Sequence, residues 1–183
     1  ITNAGGDGSF GSFNVAVSRG KSNQVNVVDG NFNRGIAFGS DHMITVVFGS
    51  YNTAIALGTN NQVNAAEGDG NTAIAVGKNN KSSAGNGDRN LSYVRGDGNT
   101  SVAGGSKGSD HNKSIVVGEG NIVNAINGND NSTRVFGKTN TVTAGNGNHN
   151  SASVRGTGNT ATAGPGDNNR VSVRGDNKNV SKP

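Results

Sequence analysis

The sequence repeats itself every nineteen residues. GSYNTAIAL (49–57) and GTNNQVNAAE (58–67) return as GDGNTAIAV (68–76) and GKNNKSSAGN (77–86). Half-repeats open at Gly11, Gly20, Gly30, Gly39, Gly49, Gly58, Gly68, Gly77, Gly87 and Gly96, so steps of nine and ten alternate. A fixed period of this kind is the signature of stacked units, none of which can bury its apolar face alone. The spacing widens once, because Gly96 to Gly118 takes twenty-two residues and places three extra residues within 104–111. Register then runs on through Gly128, Gly137, Gly147, Gly156, Gly166 and Gly175.

Inside each half the alternation has period two, which argues strand rather than helix. Gly at the first position and small polar residues at the next two supply a tight turn. Positions four, six and eight hold Asn and then mostly Ala, Val, Ser or Thr. The odd positions carry Arg19, Arg34, Arg95, Arg134, Arg155 and Arg174, so the even set faces inward. The expected fold is all-β: a flattened, two-sheet parallel β-solenoid of nineteen-residue coils, 9+10, forming a rod about 43 Å long at ~4.8 Å per coil. Inward asparagines, from Asn14 and Asn23 through Asn52, Asn61, Asn71 and Asn80 to Asn169, are expected to satisfy turn backbone groups and to stack between coils; His42 and Lys178 take the same slot. No linker is visible, so one domain is expected over 1–183. Residues 1–10 form its N-terminal partial coil, 104–111 a loop insertion, and 175–183 a C-terminal end that frays or caps the array.

Composition enters here as a constraint. With Gly at 31 of 183 residues, no Trp or Cys, six Phe, two Tyr and one Met, there is too little apolar bulk for an ordinary globule. Such a chain reads as disordered unless periodicity rescues it, as it does here. The net charge of +4 implies a solvated surface with a modest positive excess, and no nucleic-acid partner is expected. Absence of Cys excludes disulfides and thiolate metal sites. No apolar run approaches the roughly 20 residues of a membrane-spanning helix. A start at Ile1 rather than Met is read as a mature or trimmed product, and the expected location is secreted or cell-surface.

The two faces differ. On the nine-residue face, Val17, Ile36, Ile55, Ile74, Tyr93 and Ile115 follow one another at position seven, and Phe38, Leu57, Val76 and Val117 occur at position nine. This predicts an apolar stripe along the N-terminal two-thirds, exposed on a monomer, and an exposed contiguous patch marks an interface. A homo-oligomer, dimer or trimer, is the expected partner arrangement. The ten-residue face should be flat, polar and nearly uncharged. Its hydroxyls at Thr45, Thr100, Thr141, Thr143, Thr160 and Thr162 offer an alternative: ranks that order water, as ice binding requires.

Two families carry a likeness. The run Gly68-Asp69-Gly70-Asn71-Thr72-Ala73-Ile74-Ala75-Val76-Gly77-Lys78-Asn79-Asn80 resembles the head repeats of YadA-type trimeric autotransporter adhesins. That resemblance implies a left-handed parallel β-roll, association of chains, and a cell-surface or glycan partner. Asn23-Gln24-Val25 and Asn140-Thr141-Val142 are similar to repeats of the ryegrass type of antifreeze protein, which implies a flat ice-binding face.

Clusters of reactive residues are few and scattered. Gly6-Asp7-Gly8, Gly68-Asp69-Gly70 and Gly96-Asp97-Gly98 echo calcium-binding β-rolls, but the tandem Asp ladder is missing and turn aspartates are expected to bond their own backbone. His42, His111 and His149 fall at different repeat positions, His42 inward and the others in turns, and form no ligand set. Gly104-Gly105-Ser106-Lys107-Gly108-Ser109 does not match a phosphate loop. No nucleophile, base and orienter are marked out by the repeat. The expectation is therefore a non-catalytic protein with no cofactor and no metal. Arg95, Arg134, Arg155, Arg170 and Arg174 cluster toward the C-terminal end of the first face, a stripe that suits phosphate or anionic glycans but lacks interleaved aromatics. Its expected role is a solubilising surface that ends the apolar interface.

Overall fold

The computed structural model describes residues 2–4 and 13–183; the half-repeat opening at Gly11 and the Gly6-Asp7-Gly8 turn lie outside the described residues. Among the described residues there are nineteen strands and no helix. The nine-residue halves supply β2 (Val15–Lys21), β4 (Arg34–Ser40), β6 (Thr53–Thr59), β8 (Thr72–Lys78), β10 (Leu91–Asp97), β12 (Lys113–Glu119), β14 (Ser132–Lys138), β16 (Ser151–Thr157) and β18 (Arg170–Arg174). The ten-residue halves supply β3 (Gln24–Val27), β5 (Met43–Val47), β7 (Gln62–Ala66), β9 (Lys81–Gly85), β11 (Thr100–Gly104), β13 (Ile122–Ile126), β15 (Thr141–Gly145) and β17 (Thr160–Ala163), flanked by β1 (Thr2–Ala4) and β19 (Asn179–Lys182). Even-numbered strands form one nine-stranded sheet and odd-numbered strands one ten-stranded sheet. All pairings are parallel and join equivalent repeat positions, Ile55 to Ile74 for instance, and Leu91 to Lys113 across the insertion. The chain is a β-solenoid whose coils are about nineteen residues apart, as the period required.

The corners explain the sequence. At Gly58 the backbone has φ +112°, and a Cβ there would lie 2.1 Å from the carbonyl oxygen of Gly77 in the next coil. Only glycine allows coils to stack at strand spacing around that bend. Three residues later comes the inward asparagine. Its Oδ1 accepts the backbone N–H of its counterpart one coil on, as in Asn90 to Asn71 (2.9 Å) and Asn99 to Asn80 (3.1 Å). Its Nδ2 donates to a corner glycine carbonyl, Gly87 for Asn71 and Gly96 for Asn80, both at 2.8 Å. His42 does the same work, with Nδ1 accepting from the Asn61 N–H (3.2 Å) and Nε2 against the Phe38 carbonyl (3.1 Å). At Lys178 the backbone N–H still donates to Asn159 Oδ1, while Nζ donates to the Arg174 carbonyl.

The interior is one side chain thick on each sheet. Ala37, Ala54, Ala56, Ala73 and Ala75 face Val25, Val27, Ile44, Val46 and Val63 in one apolar cluster. A second cluster is built on Val94, Val116, Val123, Val135, Val142 and Val154. Overlapping the start of the second cluster, buried hydroxyls zigzag from sheet to sheet, Ser82 to Ser92 (2.8 Å), Ser92 to Ser101 (2.8 Å) and Ser101 to Ser114 (2.7 Å), and then step along the nine-stranded sheet from Ser114 to Thr133 (3.1 Å). Every buried side-chain polar atom among the described residues has a partner.

Three details refine the sequence reading. In the ten-residue halves, position nine turns in rather than out: Ala66 is 6% exposed, and a Cβ on Gly85 would meet the Ala66 carbonyl at 2.2 Å, which explains the small residues there. The three extra residues are Ser106, Lys107 and Gly108, since Ser109 takes the corner-glycine slot, is buried, and receives the Gly128 N–H on its Oγ. The C-terminal segment, expected to fray or cap the array, forms the last strand of the ten-stranded sheet, Thr160 pairing with Asn179.

Candidate functional site

The outward side of the nine-stranded sheet gathers the predicted stripe into ranks. Val17, Ile36, Ile55, Ile74, Tyr93 and Ile115 lie side by side on successive strands, and so do Phe38, Leu57 and Val76, followed by Arg95 and Val117. Ranks of like apolar residues at strand spacing screen one another, so most of these side chains are half-buried without belonging to the core. Val17 (39%) and Phe38 (40%) are exposed. Ile36 is the exception to the expected exposure, at 7%, between Val17 and Ile55 on the neighbouring strands. The 104–111 segment does not lie over the stripe: its hydrogen bonds are to corner groups, including Asn86 to the Gly105 carbonyl and the Ser109 N–H to the Asn86 carbonyl.

On the other sheet the threonines divide. Thr141 pairs with Thr160 and Thr143 with Thr162, giving a block of four hydroxyls two coils wide. Thr45 stands beside Asn26 and Asn64, and Thr100 beside Lys81 and Ile122, so neither joins that block. Toward the N-terminal half the face carries a shallow trough of about 330 Å³ over Met43, Thr45, Gln62, Asn64, Ser83 and Val102.

One corner holds features that single positions did not reveal. Phe13, Phe32 and Tyr51 stack outside it, with ring centroids 5.2 and 5.1 Å apart, all three exposed. Phe32 and Tyr51 lie at φ near +60°, which brings the third residue of each nine-residue half into a ladder. Beside the rings runs a second ladder of side-chain acceptors. Asp69 Oδ1 takes the Ser50 N–H (2.6 Å), Asp88 that of Asp69, Asp110 that of Asp88, Asn129 that of Asp110 and Asn148 that of Asn129. These turn aspartates therefore bond the coil before them, not their own backbone as expected. The nineteen-residue recurrence of Asp and Asn at the second position was the signal that could have shown it.

Histidines stay apart, as their repeat positions implied. His42 is buried inward; His111 and His149 are exposed at the ringed corner, His111 near Arg89 (3.5 Å) and His149 near Asp130 (3.8 Å). Among the described residues no three His, Asp or Glu side chains are grouped to hold a metal ion. Among the described residues no helix is long and apolar enough to cross a membrane. No protein-family model matches the chain. No curated protein matches it either.

Proposed function

We propose that this protein is a non-catalytic, secreted or surface-displayed β-solenoid that associates with copies of itself through the apolar side of its nine-stranded sheet. The observation that carries this reading is the unbroken rank Val17–Ile36–Ile55–Ile74–Tyr93–Ile115, flanked by Phe38, Leu57 and Val76, on a sheet face outside both core clusters. A second copy suits it because the two ranks share one spacing, so sheet can pack on sheet at about 10 Å with side chains interdigitated. Arg19 and Arg34 at one end and Arg134 at the other bound the stripe with positive charge, which disfavours slipped alignments of like chains. Light scattering is expected to give a dimer or trimer for the parent. Ile55→Arg or Ile74→Arg should give a monomer with an unchanged far-ultraviolet β signal, and a monomeric parent would refute the reading.

A second reading, ice binding, is favoured by the Thr141, Thr160, Thr143 and Thr162 block. If that block orders water, the parent produces thermal hysteresis, and Thr141→Tyr or Thr160→Tyr abolishes it while leaving the oligomer intact. Hysteresis that survives both substitutions would remove this face from consideration.

A further inference from the structure

The outward positions of the nine-stranded sheet that precede each corner glycine include Arg19, Arg34, Arg95, Lys113, Arg134, Arg155, Arg170 and Arg174, and no carboxylate. The acidic side chains of the described residues sit in the corner segments instead. Three of these arginines converge. Arg134, Ser153 and Ser172 are neighbours on β14, β16 and β18, and Phe136, Arg155 and Arg174 are neighbours one alternation further along the same strands. Together with Val154 and Val173 they line a surface pocket of about 210 Å³. The ion contacts among the described residues, Lys138 with Glu119 and His149 with Asp130, leave these arginines out. Arg155 lies 5.7 Å over the Phe136 ring, which restrains it at the pocket rim.

We propose that this pocket binds a sulfate-ester group of an anionic polysaccharide. Guanidinium groups hold tetrahedral oxyanions through paired, charge-assisted hydrogen bonds, and serine hydroxyls can donate to the same oxygens. Every polar side chain lining the pocket can then donate to the anion, and no carboxylate competes for the guanidinium groups. Ser132 and Ser151 beside it extend a hydroxyl surface that matches the hydroxyls of a sugar chain. Nucleic acid fits less well. Single strands are held on open aromatic faces, and the Phe136 face is already covered by Arg155. Three coils also give a patch only about 10 Å long at ~4.8 Å per step, short for the phosphate track of a duplex. The solubilising role expected for these arginines does not explain why they line a pocket. The inference is independent of self-association, since the pocket lies beyond the apolar stripe.

The test compares dextran sulfate with unsulfated dextran, inorganic sulfate and duplex DNA by calorimetry on the whole chain. Dextran sulfate is expected to bind and dextran not to. The double substitution Arg155→Gln/Arg174→Gln should weaken binding at least tenfold, while Lys78→Gln/Lys107→Gln, with the same loss of charge, changes it less than twofold. Ser172→Asp, which places a carboxylate in the pocket lining, should weaken it comparably and serves if the double variant does not fold. The proposal is overturned if dextran sulfate does not bind, if both double variants weaken it equally, if DNA binds as tightly, or if inorganic sulfate alone matches the polymer.

Discussion

Gly58→Ala is expected to lower the stability of the array by roughly 2–6 kcal/mol, combining the strain of a forbidden backbone region with overpacking. The added methyl would lie 2.1 Å from the Gly77 carbonyl oxygen and 3.0 Å from its carbon, at φ +112°. All the atoms it meets are backbone, held by strands on both sides, so no side chain can swing away. Native domains are stable by only about 5–15 kcal/mol, so this single methyl takes a large share. Gly98→Ala is the control. Gly98 has φ +64°, a left-handed conformation, with nothing within 4 Å of a Cβ. Its cost is expected to be about 1–2 kcal/mol, the left-handed penalty alone. Urea unfolding followed by circular dichroism measures both, and equal midpoints would show that coil stacking does not demand glycine.

Asn80→Ala should cost roughly 2–5 kcal/mol by orphaning a buried donor and a corner acceptor. The Asn99 N–H would lose its 3.1 Å bond to Oδ1, and the Gly96 carbonyl would lose the 2.8 Å bond from Nδ2. Amide contacts to Asn61 and Asn99 on the same ladder, both 3.1 Å, go as well. Asn80→His is expected to lose less than half as much, because His42 shows on this ladder that a ring nitrogen can take the next coil's N–H. If alanine and histidine unfolded at the same urea concentration, the amide ladder would not be what holds the corners.

Much of this architecture is legible because the period is strict. Once the step from Gly49 to Gly68 fixes a coil, parallel pairing, inward parity and the asparagine ladder follow from backbone geometry. What stayed hidden depends on relations between positions that are not equivalent in the repeat. Ser82 and Ser92 lie ten residues apart on opposite sheets, and their hydrogen bond needs the register between the two halves, which the period does not supply. Asp69 has the local chemistry of a self-bonding turn, yet its partner is Ser50 in the previous coil. Ile36 reads as outward, and it is, yet it is 7% exposed where Val17 beside it is 39%, a difference that the repeat position does not carry. Of the candidate sites, the order of residues along each rank could be read directly, whereas the convergence of Arg134, Arg155 and Arg174 on one pocket required side-chain positions.

The hydroxyl zigzag through Ser82, Ser92, Ser101, Ser114 and Thr133 has a mechanical meaning. In a solenoid each coil is stabilised chiefly by its immediate neighbours, so local differences in those junctions are not averaged away. Strand pairing and the asparagine ladder join every coil alike, so the junctions differ in what fills the interior: methyl groups toward either end, hydroxyls near the middle. Hydroxyl contacts bury less apolar area than methyl contacts, so the middle gains less from the hydrophobic effect. Pulled from its ends, the rod is expected to part first near its centre, its two apolar segments separating as blocks before either unwinds coil by coil.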